Sequence, residues 1–191
     1  MSNQDGMNYA PKGKPSPVVK QNEFFVAAAA LDHGHIYGMC NGLVEAGATI
    51  KWVYDPDPAK VESFLKVYPS AQAASSLEEI LTDEMVHLVA AAAIPCDRGP
   101  LGVKVMQSGK DYFTDKTPFT TMDQLQEAKR VSEETGQKYM VYFSERLHVE
   151  SAVFAGQLVK QGAIGRVVQV TGFGPHRLNA DSRPDWFFEK E

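Results

Sequence analysis

Lys116 is the residue of this sequence whose type and position best suit it to take part in a reaction. It lies in the stretch TDKTPF, beside Asp115 and just after a predicted strand. Ligands of open α/β sheets bind at the carboxyl ends of the strands. A lysine there can donate to a substrate oxygen, or exchange a proton with it as hydride leaves the neighbouring carbon. A solvated surface lysine without such a role is the alternative that the pattern leaves open.

A second stretch, LDHGHIYGM at 31–39, follows the apolar run FFVAAAA and could bind a phosphate. A strand that turns sharply into a helix presents backbone N–H groups and the positive end of the helix dipole to an anion. Gly34 provides a residue without a side chain where the backbone must approach a pyrophosphate. In a G-x-G-x-x-G register set on Gly34, Asp32 and Tyr37 replace the other two glycines, so a plain tight turn is the alternative.

Asp55 ends the second predicted strand, about twenty residues after this loop. An acidic side chain at this position can accept hydrogen bonds from the adenosine ribose hydroxyls of NAD, and it repels the extra phosphate of NADP. The sequence therefore favours NAD over NADP. Asp55 could also be the N-cap of a helix that begins in PDPAK, and both roles can hold at once.

His33 and His35 lie close together in the same loop, as residues of a metal site often do. Three residues on so tight a turn, with Asp32 as the third, rarely converge on one ion. We therefore predict no metal site and expect the imidazoles to face a ligand as polar loop residues. Cys40 and Cys96 are too few and too unpatterned for a disulfide framework or a zinc site, which fits a reduced cytoplasm.

Short apolar runs alternate with amphipathic segments from Phe24 onward, which predicts an α/β fold with a doubly wound parallel sheet of the Rossmann type. The six predicted strands are EFFVAAAAL, TIKWVYD, a weak strand at 71–74, VHLVAAAAIP, KDYFTDK and QKYMVYF. The predicted helices are 36–45, a helix opened by Pro56 and Pro58 that runs to 67, a short helix after a capping box of Ser76 and Glu79, 100–108, and TMDQLQEAKRVSEETG, capped by Thr121 and ended by Gly136.

Composition narrows the class of protein. The 191 residues are 43% apolar and 23% charged, which is enough for one full core and an appendage. The net charge of -5 provides no basic surface for nucleic acid. No apolar run reaches the roughly 18 residues that a membrane span needs, and the first residues lack the apolar middle of a secretory signal. We therefore expect a cytoplasmic protein.

We divide the chain into three parts. Residues 1–23 are expected to form a flexible tail, or a strap over the domain. Residues 24–146 form the nucleotide-binding domain, and residues 147–191 the incomplete start of a C-terminal domain. In that last part ESAVFAGQLVKQGAIG predicts a helix and RVVQVTGFGPH a half-exposed strand. A lone strand with an open edge is not a stable domain, so we expect it to begin a second sheet.

These motifs and their order resemble the Gfo/Idh/MocA oxidoreductases, the family of glucose-fructose oxidoreductase and inositol dehydrogenase. The resemblance covers nearly everything from Phe24 to Gly174 and rests on GHIYG, VYDPDPAKVESF, SLEEILTD, AAIP, GKDYFTDKTPFTT, VYFSERLH and LVKQGAIGRVVQV. It implies a Rossmann domain that binds NAD or NADP and an α/β domain that carries substrate contacts and mediates oligomerisation. It also implies hydride transfer between nicotinamide and a sugar, cyclitol or related alcohol.

The resemblance also assigns roles to residues. Lys116 matches the lysine of the family's E-K-P signature, with Asp115 in place of the usual Glu and Thr117 before Pro118. The implied cofactor-binding residues are Asp32, Gly34, His35, Ile36, Asp55, Ile94, Pro95 and Asp115.

The family's acid/base aspartate and histidine would lie beyond Glu191. This chain alone is therefore expected to bind cofactor without turnover, and a full-length protein to form a homo-oligomer. A non-catalytic dinucleotide-binding module, regulatory or degenerate, is the alternative function.

Overall fold

The computed structural model of the chain describes residues 16–144, 149–174 and 177–189. The described residues up to Phe143 form one compact unit, and those from Ser144 onward belong to a second. The domain boundary expected after residue 146 falls within 145–148, outside the described residues. Within the described ranges, no helix is both long and apolar enough to cross a membrane.

A parallel sheet of six strands forms the centre of the first unit, in the order β3-β2-β1-β4-β5-β6. The strands are β1 (Phe25–Ala29), β2 (Thr49–Tyr54), β3 (Gln72–Ala73), β4 (Val86–Ala91), β5 (Asp111–Asp115) and β6 (Tyr139–Tyr142). The Rossmann prediction is confirmed, with shorter strands than the sequence indicates. The order reverses between β1 and β4, which opens a crevice at their carboxyl ends where such sheets bind ligands.

Five helices connect these strands: α1 (His35–Glu45), α2 (Pro58–Val67), α3 (Leu77–Thr82), α4 (Pro95–Gln107) and α5 (Met122–Thr135). Two separate apolar clusters pack on the sheet. Val26 and Ala28 of β1 belong to one cluster, whereas Ala27 and Ala29 belong to the other. Because side chains alternate along a strand, the uninterrupted apolar run of β1 reflects burial on both faces of the sheet.

Helix α4 begins at Pro95, five residues before the predicted start at Pro100, so that prediction was wrong. A proline suits the first turn of a helix, and Pro95 takes that position. Pro100 lies inside the helix, where it has no N–H to donate to the carbonyl of Cys96. The side-chain amide of Gln124 donates to that carbonyl at 2.9 Å instead, which lets the helix continue through the proline.

The predicted ends of α5 are confirmed, and the capping box of α3 is only partly correct. Thr121 Oγ1 accepts from the Gln124 amide at 3.2 Å, and Gly136 closes α5 at a φ of 75°. Ser76 Oγ accepts from the Glu79 amide at 3.2 Å, as predicted. The Glu79 carboxylate, however, accepts from the backbone of Ser75, one residue before the cap, so the reciprocal bond is displaced.

Residues 16–23 lie against the turn between α1 and β2. The backbone amides of Val18 and Val19 donate to the carbonyl of Ala46 at 2.9 and 3.4 Å. Gly47 has a φ of 104°, and a Cβ there would collide with the carbonyl of Val19. This part of the predicted tail is therefore an anchored strap, and residues 1–15 lie outside the described residues.

The second unit contains the predicted helix, here α6 (Glu150–Lys160), and two short 3-10 turns at Ala180–Ser182 and Asp185–Phe188. The strand predicted from RVVQVTGFGPH is absent from 166–174, and its last two residues lie outside the described residues. A strand needs a hydrogen-bonded neighbour, and the described residues of this unit include no strand for it to pair with. Alternation of apolar residues predicted a strand that has no partner here.

The close approach of α4 to the sheet depends on Gly102. The rings of Tyr112 and Tyr139 meet edge to face with centroids 5.1 Å apart. A Cβ on Gly102 would press into the Tyr139 ring and lie 2.6 Å from Cδ1 of Tyr112.

We therefore expect Gly102→Ala to lower the free energy of unfolding by about 1–3 kcal/mol, because the rings and α4 must separate. Gly42→Ala is the matched control, since Gly42 also lies in a helix and a Cβ there meets no atom within 4 Å. It should raise stability by about 0.5–1 kcal/mol, through the lower entropy of the unfolded chain. Urea unfolding measures both values. Equal midpoints for the two variants would contradict this account of α4.

Candidate functional site

Asp115 ends β5, and its carboxylate is buried at the carboxyl edge of the sheet. His35 Nδ1 lies 2.9 Å from one carboxylate oxygen, and Arg98 Nη2 lies 3.5 Å from the other. Burial opposes the charge on Asp115, but the hydrogen bond from His35 and the charge of Arg98 outweigh it and hold the pKa of Asp115 below its usual value. An ionised carboxylate only accepts hydrogen bonds, so His35 Nδ1 is the donor.

Arg98 connects three segments from a fully buried position in α4. Its Nε donates to the carbonyl of Ala93 at 2.7 Å, and its Nη1 donates to the carbonyl of Thr117 at 3.1 Å. Burial lowers the pKa of the guanidinium, and the charge of Asp115 opposes that effect. The sequence analysis missed Arg98. A cation three residues after the proline of AAIP, near the carboxyl edge of the sheet, was the signal available for it.

The turn between β1 and α1 is open above Gly34. Gly34 is the exposed N-cap of α1, and a Cβ built on it would meet no atom within 4 Å. The His35 amide donates to His33 Nδ1 at 3.1 Å, and the Ile36 amide donates to the carbonyl of His33 at 3.2 Å. The side chain of Ile36 is buried in the core, so only its backbone is available to this turn.

Gly38 brings α1 close to the end of β6. A Cβ at this position would lie 2.9 Å from Oη of Tyr142, whose ring meets the imidazole of His35 edge to face at 6.1 Å. Gly38 therefore permits the helix–strand packing that the third glycine of a dinucleotide fingerprint permits, one residue after the register set on Gly34. No sequence signal indicated that Tyr142 is the residue against which Gly38 packs.

The Asp55 carboxylate is buried at the end of β2 and bonded to the backbone of two turns. It accepts from the Leu31 amide at 2.6 Å and from the Asp57 amide at 2.9 Å. Asp57 caps α2 through the Ala59 amide at 2.9 Å, so the alternative that Asp55 is the N-cap was wrong. Asp57 is the exposed carboxylate at the start of α2, whereas Asp55 joins the turn after β1 to the turn after β2.

Lys60 is a further charged residue at this edge that the sequence analysis missed. Its ammonium lies 2.6 Å from Asp32 and 3.6 Å from Asp55. Burial lowers the pKa of Lys60, but the hydrogen bond and charges of these two carboxylates outweigh it and raise the pKa. The ammonium therefore offsets the negative charge beside the first turn.

Lys116 is half-buried and directly follows Asp115, and the Lys116–Thr117 peptide is cis. Ile94 is the N-cap of α4 and Pro95 its first residue, on the loop that follows β4. The sequence-predicted residues thus follow four strands at the carboxyl edge of one sheet: β1 for Asp32, Gly34, His35 and Ile36, β2 for Asp55, β4 for Ile94 and Pro95, and β5 for Asp115 and Lys116.

His33, His35 and Asp115 offer ligand atoms that all lie within 4.8 Å of one another. His35 Nδ1 donates to Asp115, and His33 Nδ1 accepts from a backbone amide. These hydrogen bonds account for the cluster without an ion. The guanidinium of Arg98 beside the carboxylate would also repel a second cation.

The fold and this edge match a known family. The family model described as "Oxidoreductase family, NAD-binding Rossmann fold" matches residues 29–143, and the chain belongs to this family, the Gfo/Idh/MocA oxidoreductases. D-xylose dehydrogenase from Paenarthrobacter nicotinovorans is 26% identical to the chain over 138 residues, which are 70% of the chain and 35% of that protein.

Solved structures agree with this assignment. A protein from Erwinia carotovora atroseptica SCRI1043, described as an oxidoreductase, is 47% identical and superposes with a TM-score of 0.81 over 86% of this chain and 49% of its own. Levoglucosan dehydrogenase in complex with NADH and levoglucosan has the same fold at 16% identity, with a TM-score of 0.64 over 75% of this chain and 40% of its own. The chain thus spans half or less of the length of these relatives.

The network around Asp115 gives a prediction for stability. Asp115→Asn leaves the buried guanidinium of Arg98 without its counter-charge, so we expect it to cost about 3–5 kcal/mol near neutral pH. Because the folded pKa of Asp115 lies below its usual 3.8, the charged group stabilises the fold above that pH. This contribution is lost as the pH falls through the folded pKa.

Urea unfolding near neutral pH and at about pH 3 or below measures this difference, which should shrink in acid. Glu133→Gln removes an exposed carboxylate on α5 and should change stability little at either pH. The same difference in free energy of unfolding between wild type and Asp115→Asn at both pH values would contradict the role of Asp115 as the counter-charge of Arg98.

Proposed function

We propose that the chain binds NAD(H) across the carboxyl ends of β1, β2 and β4 and forms the cofactor domain of a dehydrogenase that acts on a sugar, cyclitol or related alcohol. The observation that carries this proposal is the open turn over Gly34 at the start of α1, with Asp115 and Lys116 at the end of a nearby strand. Membership of an NAD-binding oxidoreductase family supports it.

The turn fits the diphosphate of a dinucleotide in two respects. Gly34 is exposed and leaves unfilled the space that a side chain would occupy. Helix α1 begins at His35 with no acidic residue in its first turn, so its backbone amides and dipole favour an anion. We propose that the backbone of Gly34, His35 and Ile36 binds the diphosphate. We also propose that Ile94 and Pro95 contact the cofactor from the loop after β4.

The adenosine end of the cofactor would lie near Asp32, Asp55 and Lys60. The Asp55 carboxylate is committed to two backbone amides, so its main part is to set the shape of the two turns. Asp32 and Lys60 are more exposed and are better placed to contact a ribose. The sequence alone led us to expect Asp55 as the ribose-binding residue, whereas we propose Asp32 and Lys60 for this contact.

Bound NAD supplies a hydride acceptor, and Lys116 is the residue of this chain that we propose meets the substrate. Its ammonium would donate to the substrate oxygen and hold the reacting carbon in line with the nicotinamide. The D-xylose dehydrogenase relative supports a polyhydroxylated substrate. Asp115 would position the start of this loop through Arg98, which also bonds the carbonyl of Thr117.

The first test of this proposal compares the two dinucleotides. We expect NADH to bind at least about tenfold more tightly than NADPH, or about 1.4 kcal/mol, because the carboxylates of Asp32 and Asp55 oppose a 2′-phosphate. Asp32→Asn should reduce the preference for NADH over NADPH, because it removes one carboxylate and releases the Lys60 ammonium from its nearest partner. Fluorescence titration gives both dissociation constants, with Glu133→Gln as the control. Tighter binding of NADPH by the wild type would contradict the predicted preference.

The second test concerns Lys116. In a form of the protein that includes a complete second domain, Lys116→Ala should lower turnover about 100-fold to 10,000-fold and leave NADH affinity nearly unchanged. Lys104→Ala is the control, because Lys104 is an exposed lysine of α4 paired with Glu78. The assay uses NAD with pentoses, hexoses and inositols. Unchanged turnover in Lys116→Ala would rule out the role, and NADH binding without turnover on any substrate would favour the non-catalytic module.

A further inference from the structure

We propose that His33 and His35 couple dinucleotide binding to the uptake of a proton, and that His33 takes the place of a phosphate at the first turn of α1 in the free protein. The inference rests on the proposed cofactor site and adds to it a binding residue, His33, and a dependence on pH. It follows from the hydrogen bonds of the two imidazoles, which differ although the residues are neighbours.

His33 acts as a cap on the helix. Its Nδ1 accepts a hydrogen bond from the His35 amide at 3.1 Å. Only an unprotonated ring nitrogen can accept, so Nδ1 of His33 carries a lone pair in this state. The first backbone donor of α1, which a diphosphate oxygen would need, is therefore engaged by the protein's own side chain.

Protonation of His33 removes this cap. The same Nδ1 atom lies 3.6 Å from Oδ2 of Asp115, a buried carboxylate. A proton on Nδ1 turns the atom from an acceptor into a donor, so the bond from the His35 amide is lost and an ion pair with Asp115 is gained. The amide is then free to donate to a phosphate oxygen.

His35 responds to protonation at its other nitrogen. Its Nδ1 donates to Asp115 at 2.9 Å, which leaves Nε2 as the basic atom of the neutral ring. Protonated Nε2 becomes a donor and carries positive charge at the start of α1. The side chain is 18% exposed, so part of the ring is open to solvent at the start of α1.

The fixed charges around the two rings nearly cancel one another, so a proton on a ring changes the net charge at the turn. Arg98 in α4 offsets the carboxylate of Asp115, and Lys60 in α2 lies beside the carboxylates of Asp32 and Asp55. Lys116 follows Asp115 on the loop after β5, and the Tyr142 ring of β6 packs against His35. With both imidazoles neutral, the ion pairs around the turn nearly cancel, so protonation supplies positive charge directly beside a diphosphate.

Linkage gives the sign of the effect. If the dinucleotide binds better to the protonated turn, it raises the proton affinity of the turn by the same factor. Dinucleotide affinity should then fall as the pH rises, by up to about tenfold per pH unit for each proton taken up.

Isothermal titration calorimetry tests the inference with ADP-ribose and NADH between about pH 5.5 and 8.5, where imidazoles titrate. Buffers of different ionisation enthalpy give the number of protons taken up, which we expect to reach about one, because the two ring centroids are 4.1 Å apart and charge on both rings would be repulsive. His33→Asn keeps a side-chain acceptor for the amide but cannot titrate, so proton uptake should decrease. His35→Asn should decrease it as well, and adenosine, which has no diphosphate, should bind without uptake.

His87→Asn is the matched control. His87 lies on β4, and its Nδ1 accepts from the Phe25 amide at the opposite edge of the sheet, so proton uptake should stay at the wild-type value. ADP-ribose that binds the wild type without proton uptake, or with uptake unchanged in both His33→Asn and His35→Asn, would overturn the inference and leave the cofactor site intact. Failure of both NADH and ADP-ribose to bind at any pH would overturn the proposed function as well.

The ligand-free protein provides an independent readout. Nitrogen-15 chemical shifts near neutral pH should show Nδ1 unprotonated in His33 and protonated in His35. The opposite tautomers would overturn the inference whatever the binding data show.

Discussion

The buried carboxylate of Asp115 is the group on which the arrangement of this sheet edge depends. It holds His35, 80 residues earlier in the sequence, and Arg98 of the intervening helix. Through these two side chains one negative charge fixes the turn after β1, the start of α4 and the loop after β5. A buried ion pair of this kind contributes less to net stability than to position, because burial costs much of what attraction returns.

The second constraint is the close approach of helices to the sheet, which glycines make possible at two places. Gly38 and Gly102 let helices approach tyrosine rings, so α1 and α4 lie close to the sheet. Asp55 contributes from the other side by joining the turns after β1 and β2 through two backbone amides. Gly34 lies in the chain between Leu31, whose amide Asp55 holds, and Gly38, which approaches Tyr142, so the turn is fixed on both sides.

The sequence could predict the strands and helices because their signals are local. Continuous apolar runs mark strands buried on both faces, and Thr121 and Gly136 mark helix ends by their side-chain and backbone chemistry. Local signals failed where a distant group decides. Pro100 lies inside α4, where Gln124 donates to the Cys96 carbonyl in place of the missing helical N–H, and the segment 166–174 has strand alternation but no described strand beside it.

The candidate site shows the same contrast between local signals and distant contacts. That Asp55, Asp115 and Lys116 lie at one edge follows from parallel strands having their carboxyl ends together. Which atoms bond could not be predicted, because Arg98 and Lys60 meet their partners only through packing of helices on the sheet. The pattern predicted that His33 and His35 would face a ligand as polar loop residues. The donor role of His35 depends on the buried carboxylate of Asp115, which is far away in the sequence, whereas His33 accepts from the backbone amide two residues later.

Pro100 and Gln124 have a consequence for how this chain can diverge. The side-chain amide of Gln124 donates to the Cys96 carbonyl, which cannot receive the usual helical bond because residue 100 is a proline, and the Gln124 Oε1 atom accepts from the Thr120 amide at the start of α5. Loss of the glutamine would remove this donor from the carbonyl, whereas loss of the proline would restore the helical N–H as a donor, and a carbonyl oxygen can accept both bonds. Proline at position 100 thus depends on glutamine at position 124 more than the glutamine depends on the proline, so descendants of this chain should lose the glutamine only together with the proline or after it.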